Sequence, residues 1–361
     1  MAQSPPFTGQ GEPASLRLAA ATPRLSIVIP AVSSAEDLEQ TLVSVLENRP
    51  DDCEIVVALG CEYDDPWNIR DEVHFVRAPA GASVVGCINL GISACCGEII
   101  HVLAAGWRAT AGWTATAVGH FEEPDVAAVA PLTLCKDDHG RVGSCGVVAT
   151  AGGRRIVRRP RRDARRVEEA AEVLAGDTDS VVDVGRLAAF GPTIEAGFWR
   201  AEVLTDAGPG FAGCCGPLLA DADLAVAIER AGYRCVAEPA SRVIEAAGVV
   251  SRSSFLEGLY AGRLFWRSVA GQPLLWIMLL HLGEIVRHTF ARPPLGWVPA
   301  VAGRLVAALQ IGSYLTRYRQ LRSLTRKSSA ADDGVSLRID DGHPPLRPPR
   351  QRSRGSLRKS A

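Results

Sequence analysis

The feature that most limits the folds open to this chain is a regular alternation of short apolar runs with helical patterns, starting at Leu25. The run LSIVIP reads as a buried strand, and SSAEDLEQTLVSVLEN follows with Leu38, Leu42, Val45 and Leu46 on one helical face. Ser33 and Glu36 have the spacing of a capping box that would start this helix. CEIVVAL and VHFV are the next strands, VVGCINLGISACC a helix and EIIHVL a strand; beyond Gly112-Trp113 a further helix leads into the strand VAAVAPL. Strands of this kind separated by helices imply βαβ units, hence an α/β domain with a mostly parallel central sheet flanked by helices.

Further on, GGRRIVRRPRRDARRVEEAAEV is dense in Arg and carries Gly and Pro, so it reads as a solvated insertion over about 152–166 leading into a helix near Val167. A helical pattern, DLAVAIERAGYR, follows from Asp221 with Gly232 as its C-cap, and CVAEPASRVI returns as a strand. These elements place one α/β domain over 24–250. From Ser253 apolar runs alternate with Trp and Arg, and the longest, PLLWIMLLHLG, is too short to span a bilayer. Residues 251–322 are therefore expected to form C-terminal amphipathic helices that contact a membrane surface; the alternative is that they cover one face of the preceding domain. Residues 1–23 and 323–361 read as disordered tails, the second of them basic.

A net charge of −1 over 361 residues argues against a general hold on nucleic acid, and the Arg run has no interleaved aromatics, so no nucleic-acid partner is expected. An anionic membrane surface or an acidic protein partner suits that run better. The ten cysteines show no repeated zinc-like spacing and read as reduced, buried thiols, which points to a cytoplasmic protein, peripheral to the inner face of the membrane.

Several short signals occur together in order. They are LSIVIP, CEIVVALG, Asn89-x-Gly91-Ile92 followed by Gly97-Glu98 before EIIHVL, Gly112-Trp113, the turn DDHGRVGSCGV, and AGPGF with LLADADLAVAIERAGYR and EPASRVI. In this order the chain resembles the family 2 glycosyltransferases of the GT-A fold, and among them the rhamnosyltransferase-like members, over roughly residues 24 to 250. The resemblance implies a nucleotide-sugar partner and inverting transfer of the sugar to a lipid- or polysaccharide-linked hydroxyl. It places donor-pocket positions at Pro30, Ala58, Asn89, Ala104, Gly106, Arg108, Asp223 and Glu245.

Set against that family, four donor-side positions are altered. Ala58 stands where an Asp usually reads the base, and Ala104-Ala105-Gly106 where Asp-x-Asp usually holds a divalent ion. Ile88 stands where a basic residue often precedes the Asn, and Glu245 where a late His can complete the metal site. Ala and Gly side chains coordinate no cation, so no metal cofactor is expected: the divalent site reads as lost. Arg108 would then supply a fixed positive charge towards phosphate, or it is a solvated loop residue. Trp107 either stacks on a base or sugar or closes the loop over the core, and Trp113 packs in the helix that follows.

Asp221 aligns with the family's general base, although Ala220 replaces the Glu before it. The other reading is that Asp221 or Asp223 caps the helix. Two functions stay open: a transferase with a degraded donor and metal site, and an inactive relative that serves as a binding or regulatory partner at the membrane.

Overall fold

The computed structural model describes residues 23–138, 141–159, 188–206, 210–246, 253–269, 272–290, 297–314 and 319; both tails and the helix expected near Val167 lie outside the described residues. Strand β1 (Leu25–Ala31) is buried along its whole length, because alternate residues enter two different cores. Leu25, Ile27 and Ile29 pack with Leu38, Leu42 and Val45 of helix α1 (Ala35–Asn48). Val28 turns the other way, towards Val85 and Ile88 of helix α2 (Val84–Ala94). Helix α1 is capped one residue later than the Ser33–Glu36 spacing implies: Ser34 has extended backbone, and its Oγ accepts from Asp37 N at 3.1 Å.

Strand β1 lies between β2 (Cys53–Leu59) and β4 (Ile99–Val102), with β3 (His74–Arg77) outside β2, all parallel. This is the parallel half that the βαβ pattern implies. The edge strand β5 (Arg108–Ala109) and helix α3 (Trp113–Gly119) follow β4. The rest of the sheet is mixed. After β6 (Val126–Leu134) come β7 (Val142–Ser144), β8 (Val147–Thr150), β9 (Arg154–Val157), β10 (Ala188–Gly191) and β11 (Phe198–Arg200). The short β11 inserts antiparallel between β4 and β6, so the chain enters this half in the opposite direction. Strand β12 (Arg234–Ile244) runs parallel to β6, with β5 on its far side, and β7 pairs with β6.

The Arg-rich segment is corrected at its start. Arg154–Val157 is not loop but β9, in a small antiparallel sheet ordered β10-β8-β9. Gly97 has a steric cause: a Cβ there would lie 2.5 Å from Ser26 Oγ, in a knot where the Glu54 carboxylate accepts from Ser26 Oγ, Cys96 N and Gly97 N.

Helix α4 (Ala201–Asp206) precedes α5 (Gly216–Arg230), which begins well before Asp221. Asp221 and Asp223 therefore sit inside a helix, and neither is its cap. Past its end, Gly232 takes φ +82° and Tyr233 N reaches back to Ile228 O, the closure that the sequence implies. The C-terminal helices are α6 (Ser254–Ser268), α7 (Leu274–Phe290) and α8 (Val298–Leu309). Helix α6 buries Leu264 in the larger core, while α7 leaves Leu275 and Phe290 79% and 84% exposed. Among the described residues, no helix is long and apolar enough to cross a membrane.

Two buried histidines set an acid limit on the fold. Trp113 Nε1 donates to His101 Nε2 at 3.1 Å, so the ring proton sits on Nδ1, which donates to Gly197 O at 2.9 Å; the ring stacks on Phe198. Burial pushes the His101 pKa down to about 3, and His281, stacked on Phe265, to about 4. Below pH 6.5 the unfolded chain binds protons that these rings refuse. The stability present above 6.5 is therefore lost as pH falls towards 4, by about 1.4 kcal/mol per pH unit for each ring. The melting temperature should drop clearly between pH 6.5 and pH 5, and a flat profile there contradicts neutral burial.

Candidate functional site

In open α/β sheets ligands settle beyond the carboxyl ends of the strands. Here that edge centres on Pro30: Ala58 pairs with it across β2, and Leu103 N bonds Val28 O, which carries β4 past β1 to Ala104 on the other flank. The loop after β4 is pinned on both sides. Ala104 N donates to Glu195 O at 2.8 Å, while Gly106 N donates to Asp37 O and to Thr41 Oγ1, both at 2.9 Å, and Thr41 Oγ1 donates to Trp107 O at 2.8 Å. Gly106 has φ +86°, and a Cβ there would sit 3.4 Å from Asp37 Oδ1. An Asp at this position would be strained and would meet a second carboxylate.

The other positions named from the sequence turn out to be differently engaged. Ala58 is fully buried, and a Cβ on Gly91 of α2 would lie 3.7 Å from its own Cβ, so its side chain meets the helix. Asn89 is used on both ends of its amide: Nδ2 donates to Phe211 O at 2.9 Å and Oδ1 accepts from Phe211 N at 2.7 Å. It clamps the Gly210-Phe211 turn. Arg108 faces a cleft beside α1 lined by Glu36, Glu39, Glu47 and Trp67, so its neighbours are carboxylates. Trp107 is half-buried against the α1 core, and Trp113 is wholly buried.

Asp223 is held by Arg267 of α6 through two bonds of 2.8 and 2.9 Å, which docks the C-terminal helices onto α5. Glu245 accepts from Thr133 Oγ1 at 2.5 Å, in space that Gly143 leaves by having no side chain.

Asp221 is the centre of the arrangement. Arg155 of β9 grips it in a fork, with Nε 2.9 and 3.0 Å from its two oxygens and Nη2 2.7 Å from Oδ2; Ile194 N and Ala222 N also donate to it. Its side chain is 1% exposed. Glu195, in the turn between β10 and β11, stands 4.0 Å from Arg155 Nη2 and is 38% exposed. Desolvation raises the Glu195 pKa above the ordinary carboxylate value, with Arg155 opposing and Asp221 and Glu245 reinforcing the rise. Arg155 and Glu195 were not singled out from the sequence. Neither has a local signal: Arg154-Arg155-Ile156-Val157 does not alternate, and Glu195 stands alone in a turn. The side chains present do not suit a divalent ion: Ala104, Ala105 and Gly106 offer no oxygen ligand, and among the described residues no three His, Cys, Asp or Glu come together to hold one.

Residues 26–146 match the family model described as Glycosyl transferase family 2. Among solved structures, the chain is similar to the mannosyltransferase PcManGT from Pyrobaculum calidifontis in complex with GDP-Man and Mn2+. That match has 17% identity and a TM-score of 0.48, and covers 86% of this chain and 88% of the other. It is also similar to GalNAc-T7 with UDP, GalNAc and Mn2+, at 12% identity and a TM-score of 0.46, covering 69% of this chain and 48% of the other. The comparison with curated proteins finds no match. The family resemblance read from the sequence is thus met by a family match over the region that builds the Pro30 edge.

Proposed function

We propose that this chain is a family 2 glycosyltransferase that transfers sugar from a nucleotide donor to a lipid- or polysaccharide-linked hydroxyl, with inversion and without a divalent ion. The observation that carries the reading is the coincidence of the family match with a buried ionic cluster, Arg155–Asp221 with Glu195, whose Glu195 carbonyl is bonded to Ala104 at the sheet edge. The leaving diphosphate must be neutralised as the glycosidic bond breaks. With the Asp-x-Asp position reduced to Ala-Ala-Gly, fixed protein donors have to do this.

The inactive-partner reading is favoured by one set of contacts: Ala58, Asn89 and Asp221 are each consumed by internal packing or hydrogen bonds. Calorimetry against a panel of nucleotide sugars, with and without Mn2+, separates the two. Micromolar to millimolar binding that Mn2+ leaves unchanged is the expected result. A gain of more than tenfold with Mn2+ removes the metal-free reading, and no binding of any donor selects the inactive partner.

The exposed apolar side of α7, with Leu275, Leu279 and Leu282 outward and Trp276 and Arg287 beside them, fits the interfacial zone of an anionic membrane. The full chain should float with anionic liposomes, and Leu275→Glu/Leu282→Glu should not. Equal flotation of both proteins removes the membrane from the reading, and covering of the preceding domain then remains for these helices.

A further inference from the structure

General-base catalysis needs a carboxylate lone pair that can reach the acceptor hydroxyl. The two carboxylates of the Arg155 cluster differ on this point. Asp221 receives Arg155 in a bidentate fork and two main-chain N–H groups besides, and its side chain is almost wholly enclosed. To take a proton it would have to give up part of a buried ion pair. Among the described residues Glu195 has one loose ionic contact, 4.0 Å to Arg155 Nη2; its carboxylate also accepts from its own main-chain N–H, and more than a third of its side chain is open. Its main chain is fixed at the same place, since its carbonyl oxygen accepts from Ala104 N.

Resting on the transferase reading above, we propose that Glu195, rather than Asp221, is the catalytic proton acceptor of this site, and that the Arg155–Asp221 pair positions it. In the step, the acceptor oxygen forms a bond to the anomeric carbon of the donor while the bond from that carbon to the diphosphate oxygen breaks. The bonding electrons leave with the nucleoside diphosphate. The acceptor's hydroxyl proton passes to a Glu195 carboxylate oxygen and is later released to water. The charged groups facing Glu195 are Arg155 on β9, Asp221 on α5 and Glu245 after β12; burial and the two acids raise its pKa against the pull of Arg155. A carboxylate whose pKa is raised is a stronger base than an ordinary glutamate.

The test compares wild type, Glu195→Gln and Asp221→Asn for donor affinity, for release of nucleoside diphosphate with acceptor or water, and for melting temperature. Glu195→Gln should lower kcat at least 100-fold, with donor affinity within threefold of wild type and the melting temperature unchanged. Asp221→Asn should lower the melting temperature first. Turnover by Glu195→Gln at the wild-type rate overturns the role of Glu195 and leaves the transferase reading standing. A wild type that binds donor but never releases diphosphate also overturns it, while absence of donor binding removes both. A second measurement needs no donor: the side-chain 13C resonance of Glu195, assigned by its loss in Glu195→Gln, should titrate above the usual glutamate range. A midpoint at or below that range overturns the proposal.

Discussion

Arg155→Ala is expected to cost about 3–5 kcal/mol of folding stability, because it leaves Asp221 charged inside the protein without its partner. The pair is 11% and 1% exposed at its two side chains, so solvent does not screen the loss. Arg155→Lys should recover only part of it, since an ammonium cannot reproduce the fork onto both carboxylate oxygens. Arg155→Met combined with Asp221→Asn should be less damaged than Arg155→Ala alone, because removing both charges leaves no buried ion unpaired. Chemical denaturation of the four proteins checks this; an Arg155→Ala variant within 1 kcal/mol of wild type would show that the pair does not hold α5 to β9.

Trp113→Ala should cost a similar amount, about 3–5 kcal/mol. Trp113 is completely buried beside β4, bonds His101 through its indole N–H, and receives Ser241 Oγ on its carbonyl. Truncation opens a cavity and removes the donor to a ring that cannot ionise at neutral pH. Trp113→Phe should fall between the two, losing the hydrogen bond and part of the volume. Thermal denaturation at pH 7.5 provides the measure, and a Trp113→Ala protein that melts within 2 °C of wild type contradicts the packing role.

Both residues bear on what could be read in advance. Trp113 was legible as packing because Gly112-Trp113 stands at the start of a helical pattern. The turn of the chain there is local: Gly112 adopts φ +71° and the helix begins at once. Arg155 was read as one of many solvated arginines, since a run of like residues carries no mark of which one turns inward. Its partner lies 66 positions away, and that separation appears in no period or spacing. The same holds for Asp221, read as a free base or as a cap. The helix starts at Gly216, which removes the cap, and β9 supplies the guanidinium that occupies the carboxylate.

What the sequence determined by itself is the elements of the parallel half of the sheet, because burial on two faces writes a short-range pattern of apolar residues into β1, α1, α2 and β4. It also determined that the loop after β4 carries no carboxylate side chain at Ala104-Ala105-Gly106, since that depends on residue identity alone. Only the tertiary structure decided which polar groups are already satisfied. Asn89 is closed by Phe211, Asp223 by Arg267 and Asp221 by Arg155, while Glu195 keeps more than a third of its side chain exposed. The physical reason is that a hydrogen bond or ion pair depends on distances of about 3 Å between atoms far apart in the chain, and those distances exist only once the layers have packed.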